Sequence, residues 1–376
     1  MNRLLLKPSM VALVLFCAAC GSETSITLDL NSSIAHQNII NGELCEAENY
    51  PSALAVIMDA EIDVPWVGTQ MIKQVSCTGT LIAPDVVLTA AHCLDPTLAT
   101  MGYGEVLQVA YYVSPQADLT SMETQDPQIP ASAGIASDWV AHPLFDIDNM
   151  QGVSGPGDFS DVGLIFLDNS LDIKPAIVIT EKEAEQIETN KEVAIAGWGM
   201  QTAEGGNMWE PPPPGTTGKK VCADSFINEV GDKEFQVGGD SSTSRKCHGD
   251  SGGPTYMRVD TDSAERWRVI GITSHAYDES DCEKGGIDTR VDTWLEWIDT
   301  EMIAACDSGA RSACNTPGIL APPPPEEDLN LGAQNEDGEV PDELGCSCHQ
   351  THRHSNASWG GLGLFIWGAL YLRRRS

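Results

Sequence analysis

Basic residues are scarce in this sequence. Lysine and arginine together number 21, against 55 aspartates and glutamates, and the formal net charge is -34. A surface of that sign repels phosphate backbones and anionic lipid, so we expect no nucleic-acid partner. The apolar fraction of 41% is ordinary for a globular protein and supplies enough material for a core.

Long apolar runs are also missing. The run over residues 10–19 is too short to span a bilayer and follows basic residues, which predicts a signal peptide over residues 1–19. Its end resembles a bacterial lipoprotein box with Cys20 as the lipidated residue. Because Cys17 stands where leucine is usual in such boxes, ordinary cleavage after Ala19 stays open.

The C-terminal part of the chain differs in composition from the rest. Residues 306–345 are rich in proline and acidic side chains, which predicts a solvated linker. Residues 346–376 hold two cysteines, a short apolar run and three arginines, and resemble a myxobacterial C-terminal sorting tag. That resemblance implies a bacterial protein exported to the cell surface, anchored at one or both ends or secreted. Cys346, Cys348 and the histidines after them are zinc-type ligands, but the tag already accounts for the cysteines and we predict no metal site.

Between these ends the sequence predicts many short strands. Runs of β-branched and apolar residues at 86–88, 162–167, 193–196 and 267–272 are separated by Gly, Pro, Asp and Asn. This pattern favours an all-β sandwich or barrel over alternating strands and helices. Apolar residues at helical spacing predict that a short amphipathic helix over residues 293–305 closes the domain.

Three segments carry residues suited to nucleophilic catalysis. His92 follows an apolar strand, Asp161 leads directly into another, and Ser251 stands in the glycine-rich segment 249–254. Glycines allow a sharp turn and leave backbone N–H groups unobstructed. A hydroxyl, a base, an acid that orients the base and free N–H donors are what attack on a peptide carbonyl requires. Asp158 is an alternative to Asp161, which we favour because the strand follows it at once.

In the order histidine, aspartate, serine, these motifs resemble those of the trypsin/chymotrypsin family. The resemblance extends over residues 39 to about 303 and includes Gly197-Trp198-Gly199 and residues 270–274. It implies an all-β fold, with two packed antiparallel six-stranded β-barrels and a C-terminal helix, in a protease domain over residues 39–305. It also implies hydrolysis of proteins or peptides without a cofactor.

The same resemblance implies roles for individual residues. His92 would be the general base, Asp161 its orienting partner and Ser251 the nucleophile. The backbone N–H groups of Gly249 and Ser251 would form the oxyanion hole.

The resemblance also implies an inactive precursor. Residues 20–38 would be a propeptide, and cleavage before Ile39 would free an α-amino group to pair with Asp250. Because Asn38 precedes the cleavage site, a separate activating protease is expected rather than self-activation by tryptic specificity.

Eight cysteines sort into family-like pairs, which suits an oxidising compartment. The pairs implied are Cys77–Cys93, Cys247–Cys282 and Cys45–Cys222, with Cys306–Cys314 as a local addition behind the helix.

The substrate pocket departs from the family pattern. Arg245 stands two residues before Cys247, where trypsins carry the aspartate at the pocket floor. A buried cation there would favour cleavage after Glu or Asp. In the alternative, Arg245 turns away to pair with a neighbour such as Asp240 and leaves a neutral or blocked pocket. Three further residues are expected around the pocket: Ser274 beside Asp161, Ala276 at its entrance and Gly286 in its wall.

Taken together, the sequence predicts a secreted or surface serine endopeptidase. Two other functions stay open: a catalytically silent surface protein that binds a partner, and an esterase acting on small molecules. Reaction with an active-site serine reagent separates the first of these from an enzyme, and ester turnover without protein cleavage would identify the second.

Overall fold

The computed structural model describes residues 39–97, 104–124, 126–150, 152–201, 215–278 and 281–320. The chain divides into two units, residues 1–322 and 323–376, and all described residues belong to the first. The predicted signal peptide with Cys20, the propeptide, and the C-terminal segment with Cys346 and Cys348 lie outside the described residues.

The first half of the domain is a closed six-stranded antiparallel barrel. A two-residue strand precedes it, β1 (Glu43–Leu44), and its own strands are β2 (Ala53–Val64), β3 (Gly68–Ala83), β4 (Val86–Thr89), β5 (Glu105–Ser114), β6 (Gly134–Ala141) and β7 (Gly163–Leu167). Around the barrel they follow the order β2-β3-β4-β7-β6-β5. The short strands β4 and β7 are neighbours in it and are buried along their whole length, which explains their continuous apolar runs.

The second half is a barrel of the same kind. A single helical turn, α1 (Glu181–Ala184), leads to β8 (Glu192–Gly197), β9 (Val221–Val230), β10 (Glu234–Val237), β11 (Pro254–Arg258), β12 (Trp267–Ala276) and β13 (Gly286–Arg290). These strands follow the order β8-β9-β10-β13-β12-β11, and pairing of β11 with β8 closes the barrel. Strand β1 pairs with β9 at the rim. The predicted fold of two six-stranded barrels is confirmed.

A helix follows the second barrel, as predicted. Helix α2 (Leu295–Ser308) buries Leu295, Ile298, Met302 and Ala305, whose spacing places them on one face. Gly309 ends the helix in a left-handed conformation with φ of 81°, which a residue without Cβ adopts at little cost. Among the described residues, no helix is long and apolar enough to cross a membrane.

The chain after the helix is held against the first barrel. The Arg311 guanidinium donates to Oδ1 of Asp85, while the backbone N–H groups of Ser312 and Ala313 donate to Oδ2 at 2.9 and 2.7 Å. The Arg311 and Asp85 side chains are both fully buried. Residues 306–320 therefore pack as part of the domain, beyond the boundary at residue 305 that the sequence predicted.

Candidate active site

A cavity of about 330 Å³ is lined by residues from both barrels. The first barrel contributes His92, and the loop between β6 and β7 contributes Ile147 and Met150. The second barrel contributes the remaining residues: Lys246, Cys247, His248, Ser251, Thr273, Ser274, His275, Ala276, Cys282 and Gly286. Two of the three residues predicted to perform catalysis, His92 and Ser251, therefore share one cavity, although 159 positions separate them in the sequence.

His92 is positioned by a short turn at the end of a buried strand. It lies in a 3-10 helix, Ala91–Leu94, which begins two residues after β4 ends. The Cys77–Cys93 disulfide ties this turn to β3. Because the strand and the disulfide both hold the turn, the backbone of His92 has little freedom to move.

Asp161 connects His92 to the second barrel. Its Oδ1 accepts from the backbone N–H of His92 at 3.0 Å, and its Oδ2 lies 2.8 Å from Nδ1 of the His92 ring. Ser274 donates its hydroxyl to the same Oδ2 at 2.6 Å. Burial alone would raise the pKa of Asp161, but the charge of His92 and the hydrogen bonds from His92 and Ser274 outweigh it and lower that pKa. The carboxylate is therefore ionised at neutral pH.

Asp158, the alternative to Asp161, has a different environment. Its side chain is 75% exposed and pairs with Lys233 at 2.6 Å. Asp161 is fully buried and is the aspartate that contacts the histidine.

An irregularity in the sheet directs Ser274 towards Asp161. Strand β12 shifts register against β13 between Thr273 and His275, which leaves Ser274 without a partner residue across the sheet. Bulges of this kind redirect side chains and are common beside active sites. The prediction that Ser274 lies beside Asp161 agrees with this geometry.

The loop that carries Ser251 is bound to the first barrel through Thr78. The backbone N–H of Thr78 donates to the carbonyl of Ser251 at 2.8 Å, and its hydroxyl donates to the carbonyl of Gly249 at 3.1 Å. Gly249 has a φ of 90°, and a Cβ there would lie 2.9 Å from the Cα of Gly199. Only glycine meets both conditions without strain. Thr78 was not singled out from the sequence, because an ordinary strand residue gives no signal of a contact 173 positions away.

Asp250 belongs to the same loop, and its side chain is buried. Its carboxylate accepts from the backbone N–H groups of Gly199 and Cys247 at 2.9 and 3.0 Å. Burial raises the pKa of Asp250 to about 6, in spite of these two hydrogen bonds. Ile39, its predicted partner, is also buried. The next residue, Ile40, forms a β-bridge with Arg245, which lies shortly before Asp250 in the sequence.

The predicted pocket residues divide into two groups. Ser274, Ala276 and Gly286 line the cavity, but Arg245 does not. Its guanidinium turns away and donates to backbone carbonyls, including those of Cys282 at 2.6 Å and Asp240 at 3.0 Å. The hypothesis that Arg245 supplies the cation of the pocket floor is therefore wrong, because its guanidinium turns away from the cavity to backbone carbonyls, that of Asp240 among them.

Two cationic side chains that line the cavity, those of Lys246 and His275, were given no role in the sequence-based prediction. Lys246 is paired with Asp288, while His275 lies 3.4 Å from the buried Glu234. Burial would lower the pKa of His275, but the hydrogen bond and charge of Glu234 outweigh it and raise that pKa. Glu234 lies in β10, a strand that was not predicted from the sequence, so no sequence signal indicated this pair.

Two clusters of described residues have metal-ligand types. They are Cys77, His92 and Cys93, and Cys247, His248 and Cys282. In both clusters the two cysteines are joined to each other in a disulfide. A metal would need thiolates, so these residues do not fit a metal centre.

Four disulfides join described residues in the pairs that the sequence implied. They are Cys45–Cys222, Cys77–Cys93, Cys247–Cys282 and Cys306–Cys314. The first links the N-terminal segment to β9, and the third links the loop before Ser251 to the segment before β13.

Comparison with known proteins agrees with this architecture. Residues 58–298 match the family model described as Trypsin. The chain is 28% identical to proproteinase E of Bos taurus, over 71% of this chain and 95% of the relative. It is 26% identical to trypsin of Phaedon cochleariae, over 64% of this chain and 84% of the relative. It is 25% identical to tryptase of Mus musculus, over 73% and 95% respectively.

Proposed function

Since this chain belongs to the trypsin family of serine endopeptidases, we propose that it hydrolyses peptide bonds with His92, Asp161 and Ser251 as a catalytic triad. One observation carries the proposal. A fully buried, ionised Asp161 is bonded to His92, and His92 shares a cavity with Ser251.

The proposed reaction passes through an acyl-enzyme. With its Nδ1–H donating a hydrogen bond to Asp161, His92 has a lone pair on Nε2 that removes the hydroxyl proton of Ser251. The oxygen then attacks the substrate carbonyl, and the tetrahedral intermediate expels the amine, which takes that proton from Nε2. Water, activated in turn by Nε2, hydrolyses the ester and restores Ser251. The negative charge of Asp161 stabilises the imidazolium formed in both steps.

The tetrahedral intermediate carries a negative oxygen that needs donors. The backbone N–H groups of Gly249 and Ser251 are proposed to supply them, because Gly249, with its φ of 90°, allows a sharp turn and has no side chain to obstruct these donors. The two bonds from Thr78 to this loop support it by fixing the loop before substrate arrives.

Activation is proposed to follow cleavage before Ile39 by another protease. Asp250 is a buried carboxylate whose raised pKa reflects the cost of holding a charge away from water. A free α-amino group at Ile39 would offset that cost by an ion pair. The pair would hold the loop at Gly249 in the geometry that catalysis requires.

We propose that the protein is exported and is then either displayed at the cell surface or secreted. The proposal rests on the sequence features of residues 1–20 and 346–376. Four disulfides suit an oxidising compartment. Lipidation at Cys20 and the C-terminal tag over residues 346–376 are the proposed anchors. Cleavage before Ile39 would release the protease from an anchor at Cys20, because no cysteine between them could retain the propeptide.

Intact-mass spectrometry with a fluorophosphonate tests the proposal. The exported protein is treated with the reagent, with Ser251→Ala as the control. We expect one adduct on a species that begins at Ile39 and none on the variant. An adduct-free chain that already begins at Ile39 would instead favour a silent binding protein. An adduct-free chain that retains earlier residues would be the unactivated precursor, and treatment with candidate activating proteases would follow.

A further inference from the structure

The floor of the substrate cavity is occupied by a buried ion pair. Lys246 lines the cavity, yet its side chain is only 1% exposed. Its Nζ lies 2.8 and 3.1 Å from the two carboxylate oxygens of Asp288 and 2.7 Å from the hydroxyl of Thr255. Thr255 in turn donates to Asp288 at 2.5 Å. Asp288 is fully buried and does not line the cavity.

The lysine reaches this partner along strand β13. Gly286 and Asp288 are two residues apart on that strand, so they face the same side. A Cβ on Gly286 would lie 3.5 Å from the Cβ of Lys246, while Nζ of the lysine bonds to Asp288. The stem of Lys246 therefore runs beside β13 from Gly286 to Asp288 and fills the space above the carboxylate.

Counting donors shows what this floor can bind. An ammonium group has three N–H bonds, and Lys246 has three acceptors within 3.1 Å: Thr255 and the two oxygens of Asp288. No donor is left for an acidic substrate side chain. The carboxylate that would attract a basic substrate side chain is already neutralised by the lysine.

Two further cationic groups, His275 in the cavity wall and Arg245 beside Lys246 in the chain, are similarly engaged. The ring nitrogens of His275 lie 2.8 Å from the carbonyl of Ala276 and 3.4 Å from Glu234. The Arg245 guanidinium is bonded to backbone carbonyls and lies outside the cavity. Among the cavity-lining residues there is no carboxylate in the described part of the chain.

We propose that the ammonium group of Lys246 permanently occupies a cation site formed by Asp288 and Thr255. The pocket therefore accepts uncharged side chains at P1, the substrate residue that supplies the scissile carbonyl. The P1 preference rests on the proposed peptidase function. The cation site rests on the geometry alone. Removing the lysine stem exposes the carboxylate of Asp288 to the cavity and creates a site for an alkylammonium group.

Binding of a small cation tests the site without catalysis. The probe is n-propylammonium, which matches the part of the side chain deleted in Lys246→Ala, and n-propanol is its neutral control. A ligand that binds only the folded protein raises the Tm. We expect n-propylammonium, but not n-propanol, to raise the Tm of Lys246→Ala by several degrees at about 100 times its Kd. The unaltered chain and the double variant Lys246→Ala/Asp288→Ala should show no such rise.

Cleavage of a peptide library varied at P1 tests the specificity. The activated protein should prefer uncharged P1 residues over Lys, Arg, Asp and Glu by at least about tenfold. Lys246→Ala should gain about tenfold or more in kcat/KM for P1 Lys relative to P1 Ala, and the double variant should lose that gain.

Three results would overturn the inference: a preference of the unaltered protein for a charged P1 residue, no Tm response in a folded Lys246→Ala, or an equal response in the double variant. If Lys246→Ala does not fold, the P1 preference of the unaltered chain still decides whether the inference holds. Absence of the fluorophosphonate adduct on a chain that already begins at Ile39 would defeat the proposed function instead, and the n-propylammonium measurement would remain valid.

Discussion

Asp161 holds His92 at two separate points. One carboxylate oxygen accepts from the backbone N–H of His92 at 3.0 Å, and the other lies 2.8 Å from Nδ1 of its ring. The first bond positions the turn that carries the histidine. The second selects the tautomer in which the proton is on Nδ1, which leaves Nε2 free to act as a base.

Replacing Asp161 by asparagine separates these two functions. In Asp161→Asn the side-chain carbonyl can still accept the backbone N–H, but the amide donates to Nδ1 and forces the proton onto Nε2. We expect kcat to fall by about 10⁴-fold while the Tm changes little. Asp158→Asn is the control and should keep full activity, because Asp158 is exposed and pairs with Lys233. A similar loss of kcat in both variants would contradict the assignment.

Gly249→Ala tests the proposed oxyanion hole. The added Cβ would lie 2.9 Å from the Cα of Gly199, at a φ of 90° that L-residues avoid. We expect the loop to shift its N–H groups and kcat to fall by about 10² to 10³. Gly309→Ala is the matched control, since Gly309 has a φ of 81° with open space around it. It should cost about 1–2 kcal/mol of stability and leave kcat unchanged.

The pH dependence of stability tests the environment of Asp250 in the precursor. Its pKa is raised from 3.8 to about 6 by burial. Between these values the unfolded chain has lost the proton and the folded chain keeps it, so stability falls as pH rises from about 4 to about 6. The fall should be ~3 kcal/mol for this group, measured by urea unfolding as the difference between the parent and Asp250→Asn.

Cleavage before Ile39 should abolish that fall. The new α-amino group would stabilise the ionised carboxylate and lower its pKa. A fall of the same size in the cleaved protein and in the precursor would refute the proposed pair. A difference between parent and Asp250→Asn that does not change with pH in the precursor would refute the raised pKa of Asp250.

The ion pair between Arg311 and Asp85 should stabilise the domain strongly. Both side chains are fully buried, so Arg311→Ala leaves an uncompensated charge inside the protein. We expect a loss of about 3–5 kcal/mol in the free energy of unfolding, measured by urea denaturation. Lys174→Ala removes a pair with Glu265 in which the lysine is 69% exposed. It should cost no more than about 1 kcal/mol, and equal losses in the two variants would contradict the prediction.

Part of the fold was predictable because its signals are local. Apolar runs such as 162–167 indicated strands, and the spacing of Trp294, Ile298 and Met302 indicated the closing helix. The packing of the chain after that helix was not predicted, because Arg311 is held by Asp85, which lies 226 positions earlier. A single buried ion pair between distant segments leaves no pattern in either segment.

The sequence by itself determined the order of the chemistry-bearing motifs, the cysteines available for pairing and the strand-rich architecture, since each depends on residue types within a few positions. Only the tertiary structure decided which charge lines the substrate cavity. Arg245 and Lys246 are adjacent, and successive residues of an extended chain point to opposite sides. The backbone path, set by the bridge between Ile40 and Arg245 and by the Cys247–Cys282 disulfide, turns the lysine inward to Asp288 and the arginine outward to backbone carbonyls.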